Sequence, residues 1–331
     1  MDLSVSYLGL KLKSPVVVGS SSLTASVRNL KKIEASGAGA VVLKSIFEEE
    51  IYNEYSSILE KEKKEETPDY GYLDYYDYKI KDDNVKKYLE LIKTAKEAVN
   101  IPVIASCNCV SSWEWCFFAK KIEEAGADAI ELNMFALPSD FTKTCTEIED
   151  SYLKRIESIK KAVKIPVSVK LSYYFADLAA FVKKVSGMVD GVVLFNRFFH
   201  PDFDIDKFEV VPSNVLSQSS DLAISLRWMS IMAGRIDSDL IASTGVHDGA
   251  SVIKEILAGA NAVQVVSSLY KNGIESIATM LEDVKAWMEK HGFTTLDDFR
   301  GKMSQENSPN PAEYERVQFM RYFESKKYDL D

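Results

Sequence analysis

The feature that most constrains this chain is a repeated unit in which an apolar, β-rich run follows the end of an amphipathic helix. Four copies share one outline: glycine at a helix end, a small residue, then an apolar run that stops at a polar residue. They are SGAGAVVLKS (36–45), EAGADAIELN (124–133), SGMVDGVVLFN (186–196) and LAGANAVQVVSS (257–268).

Four further apolar runs lie between these copies, so the sequence predicts eight strands. They are SPVVVGSS (14–21), IPVIAS (101–106), IPVSVKLS (165–172) and DLIASTG (239–245). Most lack alternation, as expected of parallel strands that are buried on both faces. Eight stretches with the three-to-four spacing of amphipathic helices separate or follow them. No GxGxxG follows the first strand, as an open dinucleotide-binding sheet would require. The count predicts an α/β fold, the (β/α)8 TIM barrel.

Two stretches exceed this plan. Residues 46–83 form an acidic, tyrosine-rich excursion after strand 2, and we predict a long loop at the face where barrel active sites are built. Its charged part also suits a solvated surface loop. Residues 304–331 are predicted to be a tail after a single barrel domain, 1–303.

Composition limits the possible functions. With 46% hydrophobic and 27% charged residues the chain is predicted to be globular. A net charge of −10 disfavours nucleic-acid binding. We expect no membrane segment, because no run approaches the roughly 18 apolar residues needed to span a bilayer. The four cysteines do not suit a disulfide framework or a zinc site, so a cytoplasmic protein is expected.

Every predicted strand ends in hydrogen-bonding groups, at the barrel end where chemistry takes place. In strand order these groups are Gly19-Ser20-Ser21, Lys44-Ser45, Ser106 to Asn108, Asn133, Lys170, Asn196, Thr244-Gly245 and Ser267-Ser268. A lysine in a buried strand is costly without a compensating anion or acceptor, and two lysines at such ends favour a shared anionic ligand. The groups after strands 7 and 8 stand where barrels commonly bind phosphate. No carboxylate pair suits a glycosidase, and the three histidines lack metal-site spacing.

These residues resemble a family, the class 1 dihydroorotate dehydrogenases, which are FMN-containing barrels. The resemblance covers about 1–303, and its motifs lie in order. They are SPVVVGSSS, GAVVLKS, ELNMFALPSD, PVSVKLSYYF, VVLFN, ASTGV and QVVSSLYKNG. It implies FMN as cofactor and oxidation of dihydroorotate to orotate, a step of pyrimidine biosynthesis. Family members tend to form dimers, so a homodimer is expected.

The resemblance also implies site roles. Lys170 is similar to the lysine at the flavin N1/O2 edge, which favours the reduced, anionic flavin. Lys44 is similar to the lysine between flavin and substrate carboxylate, with Ser45 as its flavin-contacting neighbour. Asn133 and Asn196 resemble amides that fix the substrate ring. Gly19 and Ser20 would line the isoalloxazine, and Thr244, Gly245, Ser267 and Ser268 would hold the phosphate.

The sequence departs from the family on the substrate side. The family's catalytic base, a cysteine in class 1, stands three residues after the strand-4 asparagine, and here that position is Ala136. Alanine cannot accept a proton. Replacement candidates are Ser139, Cys107, Cys109 and a tyrosine from 70–78. After strand 6 the family's glycine-rich stretch is replaced by NRFFHP.

Three hypotheses therefore stay open. The chain is an FMN oxidoreductase for dihydroorotate or a related small anionic ring; or it is a flavin-binding paralogue without that reaction; or it is a flavin-free barrel lyase or isomerase with a Schiff-base lysine.

Overall fold

The eight predicted strands form a closed parallel barrel in the computed structural model, which describes residues 1–47, 70–108, 114–134 and 137–315. In chain order the strands are β1 (Val5–Tyr7), β2 (Leu10–Leu12), β3 (Val16–Val18), β4 (Ala40–Val42), β5 (Ile46–Phe47), β6 (Val103–Asn108), β7 (Ala129–Met134), β8 (Val167–Leu171), β9 (Gly191–Leu194), β10 (His200–Asp204), β11 (Glu209–Ser213), β12 (Asp239–Ser243) and β13 (Ala262–Val265). The barrel runs β3-β4-β6-β7-β8-β9-β12-β13 and closes through the β13–β3 pairing. The predicted (β/α)8 fold is confirmed.

Helices follow the barrel strands as the periodicity predicts. They are α1 (Val27–Ala35), α2 (Tyr70–Ala98), α3 (Glu114–Glu124), α4 (Cys145–Ala162), α5 (Leu178–Ser186), α6 (Leu222–Met232), α7 (Gly249–Ala258), α8 (Ser267–Asn272) and α9 (Ser276–His291). Helix starts are fixed by capping groups: Thr144 and Glu147 form a reciprocal capping box at α4, and Asp248 caps α7. No helix within the described ranges is long and apolar enough to cross a membrane.

An N-terminal hairpin, β1–β2, covers the end of the barrel at which the strands begin. Tyr7 and Leu8 are buried and lie against Gly191, the first residue of β9, where a Cβ would come within 2.7 Å of the Leu8 side chain. The Leu8 amide donates to the Asp239 carboxylate at the start of β12, at 2.7 Å. The hairpin therefore closes the barrel opposite its functional face. The strand pattern did not predict it.

The excursion after strand 2 is partly regular. Ile46 and Phe47 form β5, which pairs with β6, and α2 begins at Tyr70, inside the predicted loop of residues 46–83. The rest of the predicted loop, 48–69, lies outside the described residues.

In the C-terminal tail, the Gln305 backbone amide donates to the Ser230 carbonyl of α6, so the described start of this segment packs on the barrel's outside. The division at residue 303 stays a prediction.

A second unpredicted hairpin, β10–β11, follows barrel strand β9. Phe203 pairs with Val210 and Pro201 with Pro212, so these four side chains share one face. Phe203, Phe208 and Val210 are 68%, 93% and 70% exposed. The alternating sequence thus leaves one apolar face of the hairpin uncovered in the single chain.

The α6–α7 packing buries a carboxyl group. Glu255 of α7 is fully buried, and neither carboxyl oxygen has a hydrogen-bond partner among the described residues. Burial raises the pKa of Glu255 to about 8, and the nearby Ser225 hydroxyl offsets this only in part. A carboxyl group in this environment keeps its proton at neutral pH.

We predict that Glu255 makes stability fall with rising pH. The unfolded chain releases this proton near the ordinary carboxyl pKa of 4.5, whereas the folded chain holds it until about 8. The free energy of unfolding should therefore decline between these values and level off above them. Urea unfolding across this range should show a flatter decline for Glu255→Gln. The exposed Glu282→Gln should keep the wild-type slope, and equal slopes in both variants would contradict the prediction.

Candidate functional site

A cavity of about 440 Å³ opens at the C-terminal ends of the barrel strands. It has the size of a small-molecule site. Six of the predicted site residues line it: Ser20, Lys170, Asn196, Thr244, Gly245 and Ser267. Its position is where barrel enzymes carry their chemistry.

The remaining predicted residues do not line the cavity directly. Gly19 abuts Gln264 of the cavity wall, where a Cβ would lie 3.2 Å from the Gln264 Oε1. Ser268 is fully buried in α8, and its hydroxyl has no partner among the described residues. The Lys44 side chain is exposed, in the segment between β4 and β5. Ser45 and Asn133 reach the cavity through hydrogen bonds.

A chain of serines joins the ends of the first three barrel strands. The hydroxyls of Ser20 and Ser45 are 2.9 Å apart, and those of Ser45 and Ser106 are 2.7 Å apart. The Ser45 amide also donates to the Ser20 hydroxyl at 2.8 Å. Tyr88 of α2 fixes the far end, since its hydroxyl donates to the Ser106 carbonyl and accepts from the Ser106 amide. This rim of the cavity is therefore polar and rigidly bonded.

The two predicted amides come together on the opposite rim. The Asn196 side-chain amide donates to the Asn133 side-chain carbonyl at 2.6 Å. The Asn196 side-chain carbonyl in turn accepts from the Arg197 backbone amide at 2.9 Å. These bonds fix which way each amide points, so the pair presents defined donors and acceptors to a ligand.

The floor of the cavity carries a buried ammonium group. Lys170 is 8% exposed, and its Nζ donates to the Gln264 Oε1 at 2.8 Å. The Gln264 Nε2 donates to Glu131, which is fully buried. Burial lowers the pKa of Lys170 and the Glu131 charge opposes this. Burial likewise raises the pKa of Glu131, against the effects of Lys170 and Gln264.

Glu131 and Gln264 were missed by sequence reasoning, although a signal was available. Each is a polar residue inside an apolar strand, in AIELN and AVQVV, as Lys170 is in VSVKL. Neither Glu131 nor Gln264 is at a predicted strand end or positively charged, which are the two features that single out Lys170. The signal that all three residues share is a polar side chain within an otherwise apolar strand.

The turn after β12 brings backbone close to the cavity. Thr244 has φ +83° and Gly245 has φ +79°, and the Thr244 hydroxyl donates to the Phe195 carbonyl at 2.9 Å. A Cβ on Gly245 would lie 2.6 Å from the Leu222 Cα at the start of α6. Only glycine fits this left-handed position so near a neighbouring backbone. The turn therefore exposes backbone groups to the cavity.

The segment before α6 borders the cavity beside this turn. The Ser217 amide donates to the Ser267 hydroxyl at 2.9 Å, and the Lys271 ammonium donates to the Ser217 carbonyl at 2.8 Å. His247 Nε2 lies 3.2 Å from the Ser217 hydroxyl. Burial, with a further effect of Lys271, lowers the pKa of His247. Ser267 and Ser268, predicted as a strand end, begin the short helix α8 instead.

Arg197 is a third missed residue. It lines the cavity, its side chain is 11% exposed, and one guanidinium nitrogen donates to the carbonyls of Asn214 and Val215. Its Nε lies 3.8 Å from the Asp221 carboxylate. Arg197 thus joins the base of the β10–β11 hairpin to the cavity wall. The sequence signal was its place directly after Asn196.

The candidates for a catalytic base are not gathered at the cavity. Cys107 is buried, and it alternates with Ser106 and Asn108, so its side chain points to the other face of β6. Ser139 lies in an exposed segment after β7. Cys109, Ala136 and the side chains of the tyrosines at 70–78 lie outside the described residues. The base stays unassigned.

Tyrosines stand where β8 leads to α5. The Tyr173 and Tyr174 hydroxyls are 3.4 Å apart, and Tyr173 packs edge-on against Phe195. The hydrogen bond with Tyr174, followed by burial, raises the pKa of Tyr173 to about 12. Its phenol is therefore protonated at neutral pH and is a donor.

Comparison with known proteins gives a consistent match. A family model described as dihydroorotate dehydrogenase matches residues 2–288. The chain is similar to "Dihydroorotate dehydrogenase B (NAD(+)), catalytic subunit" of Thermoplasma volcanium, with 28% identity covering 91% of this chain and 98% of that protein. The protein of the same name from Alkaliphilus metalliredigens is 24% identical, with coverage of 92% and 99%. "Putative dihydroorotate dehydrogenase A (fumarate)" of Aeropyrum pernix is 26% identical, with coverage of 91% and 97%.

We predict that Gly245→Ala is more damaging than Gly126→Ala. Both glycines have positive φ, but a Cβ on Gly126 meets nothing within 4 Å, whereas one on Gly245 strikes Leu222. Both substitutions therefore place alanine in a left-handed backbone and carry the same strain. They differ only in the steric clash of the new Cβ at Gly245. Gly245→Ala should lower the free energy of unfolding by about 1–3 kcal/mol more, a typical cost of overpacking. Urea unfolding measures this, and equal losses would show that the turn has room to relax.

Proposed function

The chain belongs to the dihydroorotate dehydrogenase family, and from that premise we propose that it is an FMN-dependent oxidoreductase. Its proposed substrate is dihydroorotate or a related small anionic ring, with a role in pyrimidine biosynthesis if the substrate is dihydroorotate. We further propose that it is a cytoplasmic protein that binds neither nucleic acid nor membranes, in keeping with the net charge of −10.

The observation that carries the proposal is the Lys170 ammonium at the cavity floor. A cation in a buried position is stabilised by an electron-rich partner, and a flavin takes up negative charge when it is reduced. Lys170 lines the cavity together with Gln264, so an isoalloxazine edge could meet the ammonium there.

The polar groups around the cavity fit an FMN. The volume of about 440 Å³ suits a ligand of this size. Gly245 lets the turn after β12 pack against the start of α6 while lining the cavity, and the buried Ser268 hydroxyl lacks a partner within the described part of the chain. Thr244, Gly245, Ser267 and Ser268 would hold the phosphate, since backbone amides and hydroxyls at this barrel position bind anions. Gly19, Ser20 and Ser45 would border the ring.

Bound FMN would supply the acceptor for hydride transfer from a CH–CH bond. Lys170 would hold positive charge against the flavin. Lys44 would attract the substrate's carboxylate to the rim, and the bonded pair of Asn133 and Asn196 would orient its ring. Because these groups are already oriented, little reorganisation is needed as charge develops.

A second candidate function is a flavin-binding paralogue without dihydroorotate oxidation. The observation that favours it is Ala136, which stands where the family resemblance implies a proton acceptor. A chain that holds FMN but lacks a base would stay oxidised in the presence of dihydroorotate.

The first experiment is spectroscopic. We expect purified protein to be yellow with bound FMN, and anaerobic dihydroorotate to bleach the flavin band. Dithionite reduction is the control for a reducible flavin. Colourless protein that ignores added FMN would overturn the flavin proposal and leave the flavin-free barrel. Yellow protein that dithionite bleaches and dihydroorotate does not would favour the paralogue or another substrate.

The homodimer is also a proposal, and the β10–β11 hairpin supports it. Its exposed apolar face is formed by Pro201, Phe203, Val210 and Pro212, and the exposed Phe208 lies in the adjoining turn. Aromatic side chains bury about 150–250 Å² each, so two phenylalanines with their neighbours supply much of the roughly 800 Å² that a standard interface buries per partner. A second copy can present the same face across a two-fold axis. We therefore propose a second copy as the occupant.

We predict that Phe203→Lys weakens the dimer and that Asp202→Lys does not. The two residues are adjacent on β10, both are exposed, and their side chains point to opposite faces. Sedimentation velocity over a concentration series should show a dissociation constant at least about tenfold higher for Phe203→Lys, because a buried aromatic anchor is lost. A monomeric wild type, or equal effects of both variants, would refute this surface.

A further inference from the structure

The network below the cavity involves three strands of the barrel. Lys170 is on β8, Gln264 on β13 and Glu131 on β7. Glu131 stands two residues before Asn133, so its side chain is on the same face of β7, one layer deeper. It does not line the cavity, whereas Lys170 and Gln264 do. A ligand could therefore meet Glu131 only through these two side chains.

The hydrogen bonds orient Gln264. Its Nε2 donates to the Glu131 carboxyl group, so its Oε1 faces Lys170 and accepts from the ammonium at 2.8 Å. The flipped amide would place NH₂ against the ammonium and a carbonyl against the carboxylate, and both contacts would be repulsive when the groups are charged. Glu131 thus determines that the Gln264 oxygen, and not its NH₂ group, is directed at Lys170.

The charges point the same way. Lys170 is buried, and within the described structure the charge that acts on its ammonium is that of Glu131. Among the residues that the structure describes, Glu131 also acts on the hydroxyls of Tyr7, from the N-terminal hairpin, and Tyr88, from α2. Burial raises the pKa of both tyrosines, so they are neutral and leave the compensation of Lys170 to Glu131.

We propose that Glu131, through Gln264, is a positioning residue that keeps Lys170 protonated and directed at the cavity floor. The role of that cation toward a flavin rests on the proposed function. The protonation of Lys170 itself does not, so it can be tested in flavin-free protein.

The test uses Glu131→Gln, which removes the charge and keeps the shape. Its matched control is Glu255→Gln, the same change at another fully buried carboxyl group, between α6 and α7. Full-length, flavin-free protein is labelled with trace acetic anhydride at a series of pH values. Acetylation of Lys170, read by mass spectrometry, reports the fraction of neutral amine, and the exposed Lys44 serves as an internal reference.

We expect the pH midpoint for Lys170 labelling to fall by at least about one unit in Glu131→Gln, which is a tenfold rise in neutral amine below the midpoint. Glu255→Gln and Lys44 should show no shift. An unchanged Lys170 midpoint in folded Glu131→Gln would overturn the proposal. If that variant does not fold, Gln264→Met breaks the connection with both charges in place. A lower Lys170 midpoint there supports the proposal, and an unchanged one refutes it.

FMN-loaded protein gives a second readout that a merely structural role would not change. In Glu131→Gln the midpoint potential of the flavin should be above that of wild type at low pH, where Lys170 still carries its proton and the negative charge is gone. It should fall below wild type at high pH, where the amine is neutral. Parallel pH profiles of the flavin midpoint potential in wild type and Glu131→Gln would contradict the inference. Protein that binds no FMN would refute the proposed function and leave the labelling result decisive for Glu131.

Discussion

The site depends on the burial of one ammonium group inside a closed apolar barrel. A charge in such a place must be matched by acceptors and an opposite charge, because desolvation otherwise drives off its proton. Glu131 contributes to this match from the neighbouring strand β7, and Gln264 contributes from β13 across the barrel interior. Their positions require the closed sheet, since β13 faces β7 and β8 only across the barrel interior. The closed barrel is therefore what brings together the residues that stabilise the Lys170 charge.

The barrel was predictable because its signal is repeated eight times. Runs such as AVV at 40–42 and GVVL at 191–194 are buried on both faces, and burial of that kind excludes charged residues from most of each strand. The two hairpins were not predicted, for physical reasons. β1 and β2 are only three residues long, and the β10–β11 alternation leaves its apolar face uncovered, so neither gives the pattern of a strand in a core.

The individual residues of the site were predictable from the sequence, and the hydrogen bonds between them were not. Strand ends identified Ser20, Lys170, Asn196, Thr244, Gly245 and Ser267, and all of these line the cavity. The bonds between Asn133 and Asn196, or along Ser20, Ser45 and Ser106, join strands distant in sequence, and no spacing encodes them. Glu131 is instructive in this respect. Inside a barrel an acidic residue is stable only with its partners, and those partners are 39 and 133 residues away.

The N-terminal hairpin has a consequence for how the molecule is made. The Leu8 amide finds its acceptor in Asp239, 231 residues later, and Tyr7 packs against Gly191. During synthesis from the N-terminus, these first residues can make their native contacts only after most of the chain has left the ribosome. The last barrel strands are thus needed to secure the beginning of the chain. A polypeptide truncated before residue 239 contains only six of the eight predicted strands, and its hairpin has no Asp239 carboxylate to anchor it.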